Sequence, residues 1–264
     1  MLEEKLTADT ITVGLRTSFV GRNVLVYPEL TSTMDVAREQ AKLKAPEGTA
    51  VIAERQTAGR GRLRRAWHTP EGNIAVSIIL YPPRQHLHSL IMLSSLAVLR
   101  AVRNVTGIAP QLKWPNDVLI AGKKVSGILI ETQATETRVR YAVLGIGINV
   151  NMRLADHPDL RPIATSLAEK TGRAVSKILI LRALFTEMEE LYTGLRAGRP
   201  LFPEWRDNLA TIGKRVVVTH GGDSQQGIAE SVRDDGALLL RCPDGTLKPV
   251  TIGDVSLRQD RGPG

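Results

Sequence analysis

The segment HSLIMLSSLAVLRAVRNVTG, residues 88–107, is apolar on almost every side and ends in glycine. Its spacing predicts an α-helix, and a helix without a polar face must be covered by other elements all round. A chain of 264 residues, of which 42% are hydrophobic and 23% charged, is long enough to enclose such a helix in one core. These values are typical of a folded globular protein and argue against a disordered chain.

Segments rich in Val, Leu and Ile predict β-strands or strand pairs on both sides of this helix, at 23–30, 49–54, 73–80, 118–132 with a reversal at Gly122, and 140–151. Two other segments, 31–48 and 176–197, predict helices because their apolar residues recur at helical spacing. Ser32 with Asp35 three residues later matches a capping box, and Ser176 is an expected N-cap. Strands and helices do not alternate strictly, so the sequence favours an α+β fold.

The character of the sequence changes at Gly213. Short strand-like runs follow one another from there, separated by Gly-Gly, Asp-Asp-Gly and Asp-Gly turns. This pattern predicts a small β-barrel of about 50 residues. We therefore divide the chain into an N-terminal tail over 1–22, a larger domain over 23–211 and a small β-domain over 212–260.

No part of the sequence indicates export or a membrane. The opening residues MLEEKLTADTITVGL are acidic where a signal peptide is basic, and no apolar run is expected to reach the roughly 18 residues that cross a bilayer. A single cysteine, Cys242, excludes a disulfide within the chain and a cysteine-based metal site. We expect a cytoplasmic protein with no membrane partner.

The formal net charge is +8, and the distribution of this charge matters more than its sum. Residues 213–264 carry seven Lys or Arg against seven Asp or Glu, so the whole excess precedes Gly213. The excess is densest in AGRGRLRRAW, residues 58–67, which we call the Arg/Gly loop; no acidic residue occurs from Arg55 to Pro70. From its residues alone this loop fits a nucleic-acid contact, a phosphate cradle or a solvated turn.

The segment KWPNDVLI, residues 113–120, contains a second polar interruption. Pro115 keeps the preceding Trp114 extended, and Asn116 and Asp117 then fall at a turn where side chains face a ligand or only solvent. The standard glycine-rich phosphate motifs G-x-G-x-x-G and G-x-x-x-x-G-K-[ST] do not occur in the sequence.

Three further positions allow two interpretations each. Lys124 begins a predicted strand, where it is either a surface residue or a charge aimed into a site. Gly127 inside that strand fits a close approach of another group to the backbone, or a bulge. Asn149 ends an apolar strand and needs hydrogen-bond partners, which a ligand or the next turn can supply.

Four motifs, TSTMDVAR, ERQTAGRGRLRRAW, KWPNDVLIAGKKVSGILIE and GIGINV, taken together resemble those of the biotin protein ligases (biotin–acetyl-CoA-carboxylase ligases). The resemblance covers about residues 23–258 and implies an α+β catalytic domain similar to class II aminoacyl-tRNA synthetases, followed by an SH3-like β-barrel. Many bacterial members also carry an N-terminal winged-helix repressor domain. Only about 22 residues precede the first predicted strand, so we expect a form without that domain and no DNA partner.

The resemblance also implies a reaction. ATP activates biotin to biotinoyl-5'-AMP with loss of pyrophosphate, and a lysine of a biotin carboxyl carrier protein or domain then attacks the mixed anhydride. Mg²⁺ would accompany ATP and be held largely by phosphates, with no side-chain metal ligand predicted. Both steps gather negative charge in one site, so fixed cations are expected to supply most of the stabilisation.

By the same resemblance, the catalytic candidates are Lys124, Arg62 and Asp117, of which Asp117 would orient or deprotonate the incoming lysine. The candidates for binding biotin are Ser32, Thr33, Gln56, Arg60, Gly61, Arg62, Lys124 and Gly127. The candidates for binding ATP and the adenylate are Arg60, Arg62, Arg65, Trp67, Asn116, Lys124 and Asn149. Trp67 would stack on the base, whereas Arg64 matches no role and is expected to be solvated.

One residue departs from the family pattern, because Met34 stands where many members have asparagine. A polar contact to biotin is therefore either missing or made by backbone. Three other functions stay open: a lipoate or octanoate ligase or transferase of the same superfamily, although no R-R-x-x-G-G-G stretch is found; a nucleic-acid-binding protein that uses the Arg/Gly loop; and a biotin sensor without activity. The sequence is compatible with a homodimer but does not decide the oligomeric state.

Overall fold

A seven-stranded mixed sheet forms the centre of the larger part of the protein. The computed structural model of the chain describes residues 5–251 and 253–257. The strands of this sheet are β1 (Val24–Leu30), β2 (Ala50–Gln56), β3 (Ile74–Leu80), β4 (Gln111–Lys113), β5 (Asp117–Ile120), β6 (Lys123–Ala134) and β7 (Val139–Ile148). They lie side by side in the order β1-β2-β3-β7-β6-β5-β4, and only the β1–β2 pair is parallel. The predicted strands and the reversal at Gly122 are confirmed.

Helices cover both faces of this sheet. They are α1 (Ala8–Thr12), α2 (Thr33–Lys42), α3 (Ser89–Thr106), α4 (Leu167–Thr171), α5 (Lys177–Arg196) and α6 (Phe202–Asp207). Helices α3 and α5 pack on each other, and α3 packs on the strands of one face, where most of the buried apolar side chains lie. Helix α2 packs against β2, β3 and β7 with a smaller apolar cluster around Met34, Ala37 and Val143. The α+β fold class is therefore confirmed.

Helix α3 is the buried helix that its composition predicts. Twelve of its residues are buried, and its two internal serines donate to their own helix, Ser94 Oγ to the Leu90 carbonyl at 2.8 Å and Ser95 Oγ to the Ile91 carbonyl at 2.7 Å. Within the described residues it is the one helix long and apolar enough to cross a membrane, with 18 residues and a mean hydropathy of 1.2. The expectation that no run reaches this length is therefore wrong for α3, although 67% of it is buried inside the protein.

The segment before β1 is packed rather than extended. It contains α1, and Ile11 and Val20 are fully buried. Arg182 of α5 donates from Nε to the Ile11 carbonyl at 3.0 Å, and the carboxylate of Glu189 accepts the backbone N–H groups of residues 18–20. Residues 11 and 18–20 of the predicted tail are therefore tied to α5, while the boundary at residue 22 stays a prediction.

The start of α2 differs from its predicted capping box. Ser32 has the extended backbone of an N-cap residue, as expected, but its side chain makes no capping hydrogen bond. The carboxylate of Asp35 contacts the guanidinium of Arg38 instead of turning back to the cap. The capping box is thus wrong, because the Asp35 side chain pairs with a cation that the spacing rule does not consider.

The C-terminal part is a separate five-stranded antiparallel sheet. Its strands are β8 (Arg215–His220), β9 (Asp223–Val232), β10 (Leu238–Arg241), β11 (Leu247–Val250) and β12 (Asp254–Leu257), in the order β11-β10-β9-β8-β12. Trp114 connects the two parts, since its indole Nε1 donates to the carbonyl of Gly236 at 2.8 Å. The predicted β-domain extends to residue 260, and its last three residues lie outside the described part of the chain.

Two glycines with left-handed backbones allow a test of this packing. A Cβ on Gly48, at φ +81°, would lie 2.5 Å from the Phe19 carbonyl oxygen, whereas one on Gly172, at φ +70°, would meet nothing within 4 Å. We expect Gly172→Ala to lower the free energy of unfolding by about 1–2 kcal/mol, from backbone strain alone. Gly48→Ala should lower it by about 1–3 kcal/mol more, because backbone atoms of Phe19 and Val20 must move away from the new Cβ. Chemical unfolding measures both, and equal losses would contradict the packing of residues 19–20 on Gly48.

Candidate functional site

A cavity of about 610 Å³ lies on the α2 side of the large sheet and opens between the sheet, the Arg/Gly loop and strand β12. Every residue singled out from the sequence as a site candidate lines it. These residues are Ser32, Thr33, Gln56, Arg60, Gly61, Arg62, Arg65, Trp67, Asn116, Asp117, Lys124, Gly127 and Asn149. The structure therefore brings together residues that are up to 117 positions apart in the sequence, although it does not assign them roles.

Glycines form the floor of the cavity. Gly127 of β6 and Gly147 of β7 are paired across the two central strands, and the indole of Trp67 lies directly on them. A Cβ on Gly147 would be 2.2 Å from the Trp67 ring, and one on Gly145 would be 2.5 Å from Met34 Sδ. Side chains at these positions would fill the space, so the glycines of GIGINV are required by close approach.

Strands β2 and β3 carry a neutral, hydrogen-bonding wall of the cavity. Gln56 Oε1 accepts from the backbone N–H of Thr33 at 2.8 Å, and the hydroxyls of Thr33 and Ser77 share a hydrogen bond of 2.8 Å. Gln56 Nε2 donates to Thr69 Oγ1 at 3.0 Å. Ser32 Oγ is buried and has no hydrogen-bond partner in the protein. A buried hydroxyl without a partner is costly, so this wall is suited to a neutral polar ligand that can bond to it.

The Arg/Gly loop is a short hairpin that crosses the cavity between β2 and β3. The backbone N–H of Trp67 donates to the Gly59 carbonyl at 2.8 Å, and the backbone N–H of Gly61 donates to the Arg65 carbonyl at 2.8 Å. Leu63 lies at its tip with a positive φ of 53°. The prediction that Arg64 is solvated concerns a side chain outside the described part of the structure.

Side chains of this hairpin are tied to the protein on two sides. Arg60 Nη2 donates to Asp35 Oδ1 of α2 at 2.7 Å. On the other side, Arg62 Nη1 donates to Asn116 Oδ1 at 3.1 Å, and Arg65 lies 2.6 Å from Asp254 Oδ2 of β12. These three arginines are therefore paired within the protein rather than displayed as free cations.

Partly buried cations line the cavity wall along β4, β5 and β6. Burial lowers the pKa of Arg62 from its ordinary value, and the nearby carboxylates of Asp254 and Asp117 oppose this shift. Burial also lowers the pKa of Lys113, again opposed first by Asp117. A charge that has lost part of its water interacts more strongly with a ligand, so this wall favours an anion.

Lys124 lies between this wall and the glycine floor. Its ammonium is 2.6 Å from Asp117 Oδ1, although the pair lacks the orientation of a hydrogen bond, and 5.3 Å from the centre of the Trp67 ring. The Lys124 backbone donates to Ile163 and accepts from Thr165, both at 2.9 Å. The lysine thus has a fixed backbone and a carboxylate that holds its side chain.

The two asparagine candidates are bonded to the protein. Asn116 Nδ2 donates to the Ile128 carbonyl at 2.8 Å while its oxygen accepts from Arg62. Asn149 Nδ2 donates to the Thr165 carbonyl at 3.1 Å, and its oxygen accepts from Asn73 at 3.3 Å. Both residues therefore support the walls, and their contacts with a ligand stay predictions.

Some cavity residues were not anticipated from the sequence. Lys113 and Ser77 line the cavity or support its wall, yet each is an ordinary polar residue in a strand and carries no local signal. Asp254 reaches the cavity from the C-terminal sheet, 137 positions after Asp117. Only the folded arrangement of the two parts could identify it.

Asp117 and Asp254 are the carboxylates among the cavity-lining residues. Within residues 5–251 and 253–257, no three His, Cys, Asp or Glu side chains are grouped closely enough to hold a metal ion by themselves. Asp117 Oδ1 and Asp254 Oδ2 are buried and make no hydrogen bond, although each lies beside a cation.

Two family models and several relatives match the chain. Residues 26–149 match the Biotin/lipoate A/B protein ligase family, and residues 211–258 match the Biotin protein ligase C terminal domain. The bifunctional ligase/repressor BirA of Bacillus subtilis (strain 168) is 38% identical over 259 residues, which is 96% of this chain and 79% of that protein. The chain belongs to the biotin protein ligase family. The biotin--[acetyl-CoA-carboxylase] ligase of Paracoccus denitrificans is 36% identical to this ligase over 207 residues, covering 74% of this chain and 85% of that protein.

Solved ligase structures share the fold. The biotin protein ligase from Aquifex aeolicus, solved in complex with biotin and ATP, matches this ligase with a TM-score of 0.77 and 29% identity, over 90% of this chain and 100% of that one. The biotin protein ligase from Leishmania major in complex with biotinyl-5-AMP matches with a TM-score of 0.61 and 26% identity, over 88% and 99%.

The contact of Arg65 with Asp254 predicts that the C-terminal sheet restrains the Arg/Gly loop. We expect Asp254→Asn to raise the rate of trypsin cleavage after the loop arginines by about threefold to fivefold, since a partly buried ion pair is lost. Mass spectrometry of the fragments measures this rate. Glu230→Gln is the matched control, because Glu230 pairs with Arg241 inside the C-terminal sheet. Unchanged cleavage in Asp254→Asn would show that the loop is not held from this side.

Proposed function

We propose that this chain activates biotin with ATP to biotinoyl-5'-AMP and transfers the biotinoyl group to a lysine of a biotin carboxyl carrier protein. One observation carries the proposal: the strand order places a neutral wall on β2 and β3 and a cationic wall on β4, β5 and β6, with a glycine floor between them. Neighbouring strands are about 4.8 Å apart, so the two walls are separated by the length of a small molecule. Membership of the biotin protein ligase family supports the same ligands.

The neutral wall suits the ring end of biotin. An uncharged ureido group both donates and accepts hydrogen bonds, and the Ser32 hydroxyl, Thr33 and Gln56 offer both kinds of partner. Met34 covers Gly145 at this wall, where many members have asparagine, so a side-chain polar contact from that position is absent. The acyl chain would then run over Gly127 toward Lys124.

The first step forms a bond between a biotin carboxylate oxygen and the α-phosphorus of ATP. The bond from this phosphorus to the bridging oxygen of the β-phosphate breaks, and pyrophosphate leaves with the electron pair. Lys124, Arg62 and Arg60 would stabilise the charge that gathers on the phosphoryl oxygens, and Arg65 and Asn116 would contact the triphosphate. Trp67 and Asn149 would hold the base and the ribose.

In the second step, a carrier lysine attacks the acyl carbon, the bond to the phosphate oxygen breaks, AMP leaves and the amine loses one proton. The pairing of Asp117 with Lys124 supports a positioning role for this carboxylate. That Asp117 also takes the proton stays a prediction. Until the carrier arrives, the hairpin across the cavity would shield the anhydride from water.

Mg²⁺ fits the cavity as a companion of ATP. Asp117 and Asp254 are the carboxylates that line the cavity, and each has its buried oxygen 2.6 Å from a cation, Lys124 or Arg65. The phosphates of ATP would therefore supply most of the Mg²⁺ ligands, with these carboxylates nearby. The ion would neutralise phosphate charge when bound.

Several finer statements belong to the same proposal. A synthetase-like class for the large sheet and an SH3-like class for the C-terminal sheet agree with a mixed sheet and an antiparallel one. The cytoplasm as location, the homodimer and the absence of DNA and membrane partners stay predictions from the sequence.

The alternatives account for fewer observations. A nucleic-acid-binding loop would leave its arginines free, whereas Arg60, Arg62 and Arg65 are paired within the protein. A biotin sensor without activity would not need the cationic wall. A lipoate ligase would share the fold, so the binding experiment below distinguishes it from a biotin ligase.

The direct test is ATP-dependent transfer of biotin by the purified chain to a carrier domain, read by mass spectrometry. Biotin with ATP should raise the melting temperature, and lipoate with ATP should not. Two results would overturn the proposal. One is stabilisation by lipoate with ATP and none by biotin with ATP; the other is salt-dependent binding to generic DNA without transfer of biotin.

Lys124 and its neighbour form a matched pair for the chemistry. Lys124→Ala should lower the rate of biotinoyl-AMP formation by about 100-fold or more, because a fixed charge at the reacting phosphate is removed. Lys123→Ala should change the rate less than about twofold, since Lys123 donates to the Arg161 carbonyl and does not line the cavity. Pyrophosphate release measures both rates, and equal rates for the two variants would contradict the role of Lys124.

A further inference from the structure

A cluster of four charged side chains lies at the edge of the cavity, at the start of the Arg/Gly loop. Asp35 and Arg38 come from α2, Glu131 from β6 and Arg60 from the loop. Arg60 Nη2 is 2.7 Å from Asp35 Oδ1 and 3.6 Å from Glu131 Oε1. Arg38 contacts the same two carboxylates, at 3.1 Å from Glu131 and more closely at Asp35. We call these four residues the α2–β6 anchor.

The anchor is separate from the ligand-binding surface. Among the described residues that line the cavity, Arg60 is the one member of the anchor. Glu131 lies four residues beyond Gly127, about 13 Å along the strand. The function proposed above therefore assigns no role to Asp35, Arg38 and Glu131.

Both carboxylates belong to rigid elements, whereas Arg60 belongs to a loop. Helix α2 packs on three strands of the sheet, and Glu131 lies in the long strand β6, where it pairs with Val143 of β7. Arg60 is also paired through its backbone with Ala66, across the hairpin. Holding the Arg60 side chain therefore holds both arms of the hairpin at its root.

The anchor is balanced in charge and open to water. Two guanidinium groups face two carboxylates, and all four side chains are between 33% and 38% exposed. Exposed ion pairs of this kind are weak and are screened by salt. Arg38 also shares Asp35 Oδ1 with Arg60, while the two arginines contact different oxygens of Glu131. Such an anchor biases the hairpin toward closure and still lets it open.

We propose that Asp35 and Glu131 are positioning residues that hold the Arg/Gly loop closed through Arg60 and so set how long biotinoyl-AMP stays enclosed. The proposal rests on the function proposed above, because it concerns the intermediate of that reaction. It gives Arg60 a second task beside contact with the ligand. Arg38 moderates the anchor, because it takes part of the negative charge that would otherwise hold Arg60.

The test measures release of biotinoyl-AMP from the purified full chain. The adenylate is formed from labelled biotin and ATP without carrier, and its loss is followed after dilution into unlabelled biotin and ATP. Glu131→Gln should speed this release about threefold, the factor expected for one exposed ion pair. Asp35→Asn should change release in the same direction and is the second variant if Glu131→Gln is poorly folded, as judged by its melting temperature. The kcat for transfer at saturating carrier should stay unchanged in both variants, because neither residue touches the reacting atoms.

Arg38→Gln is the matched control. It removes a cation from the same cluster but leaves both carboxylates to Arg60, so release should be unchanged or slower than in the wild type. A second comparison asks whether Glu131 acts through Arg60. The double variant Arg60→Gln, Glu131→Gln should release the adenylate no faster than Arg60→Gln alone.

Salt gives an independent measurement. Raising the NaCl concentration should quicken release from the wild type and have a smaller effect on Glu131→Gln, since the screened contact is already missing. Equal release from the wild type and both carboxylate variants, or faster release from Arg38→Gln, would overturn the anchor. A wild type that forms no biotinoyl-AMP would contradict the proposed function instead.

Discussion

The contact between the Trp67 ring and the backbone of Gly147 is the constraint on which the site depends. An indole can lie against a β-sheet only where the strands below it carry no side chains, and Gly127 and Gly147 provide this on two paired strands. The same two strands present apolar side chains such as Ile128 and Ile146 to the core on the opposite face. One pair of strands therefore supplies the floor of a cavity and the wall of a core, and helix α3 is enclosed behind it.

The charges of the site form a second constraint. Every described arginine side chain of the Arg/Gly loop has a partner within the protein. Partners come from α2, from the turn before β5 and from β12, so three segments far apart in the sequence meet around one hairpin. Pairing of this kind costs little, because the groups stay partly hydrated, and it arranges the cations before an anionic ligand arrives. The loop that looked like a nucleic-acid contact is, in the structure, a set of intramolecular ion pairs.

Patterns that depend on neighbours in the sequence predicted the structure well. The period of α3 and α5, the strand runs and the turn at Gly122 are local, and all appear as expected. The resemblance of four motifs to those of the biotin protein ligases named the candidate residues that line the cavity. The failures involve partners from elsewhere in the sequence. The carboxylate of Asp35 pairs with arginines instead of capping α2, and α1 and residues 18–20 contact α5. Asp254 and Lys113 have no pattern of their own, because their roles arise only when two sheets meet.

The segment that joins the two sheets has a structural role beyond connection. Strand β4 is the last strand of the large sheet, and such edges present unpaired N–H and C=O groups that invite pairing with other chains. Here Leu112 donates to the Asn208 carbonyl and accepts from the N–H of Ala210, both at 2.8 Å, so the connecting segment covers this edge. Truncation before residue 208 would therefore leave the edge of β4 exposed to other chains, whereas a chain that keeps residues 208–210 would keep this edge covered.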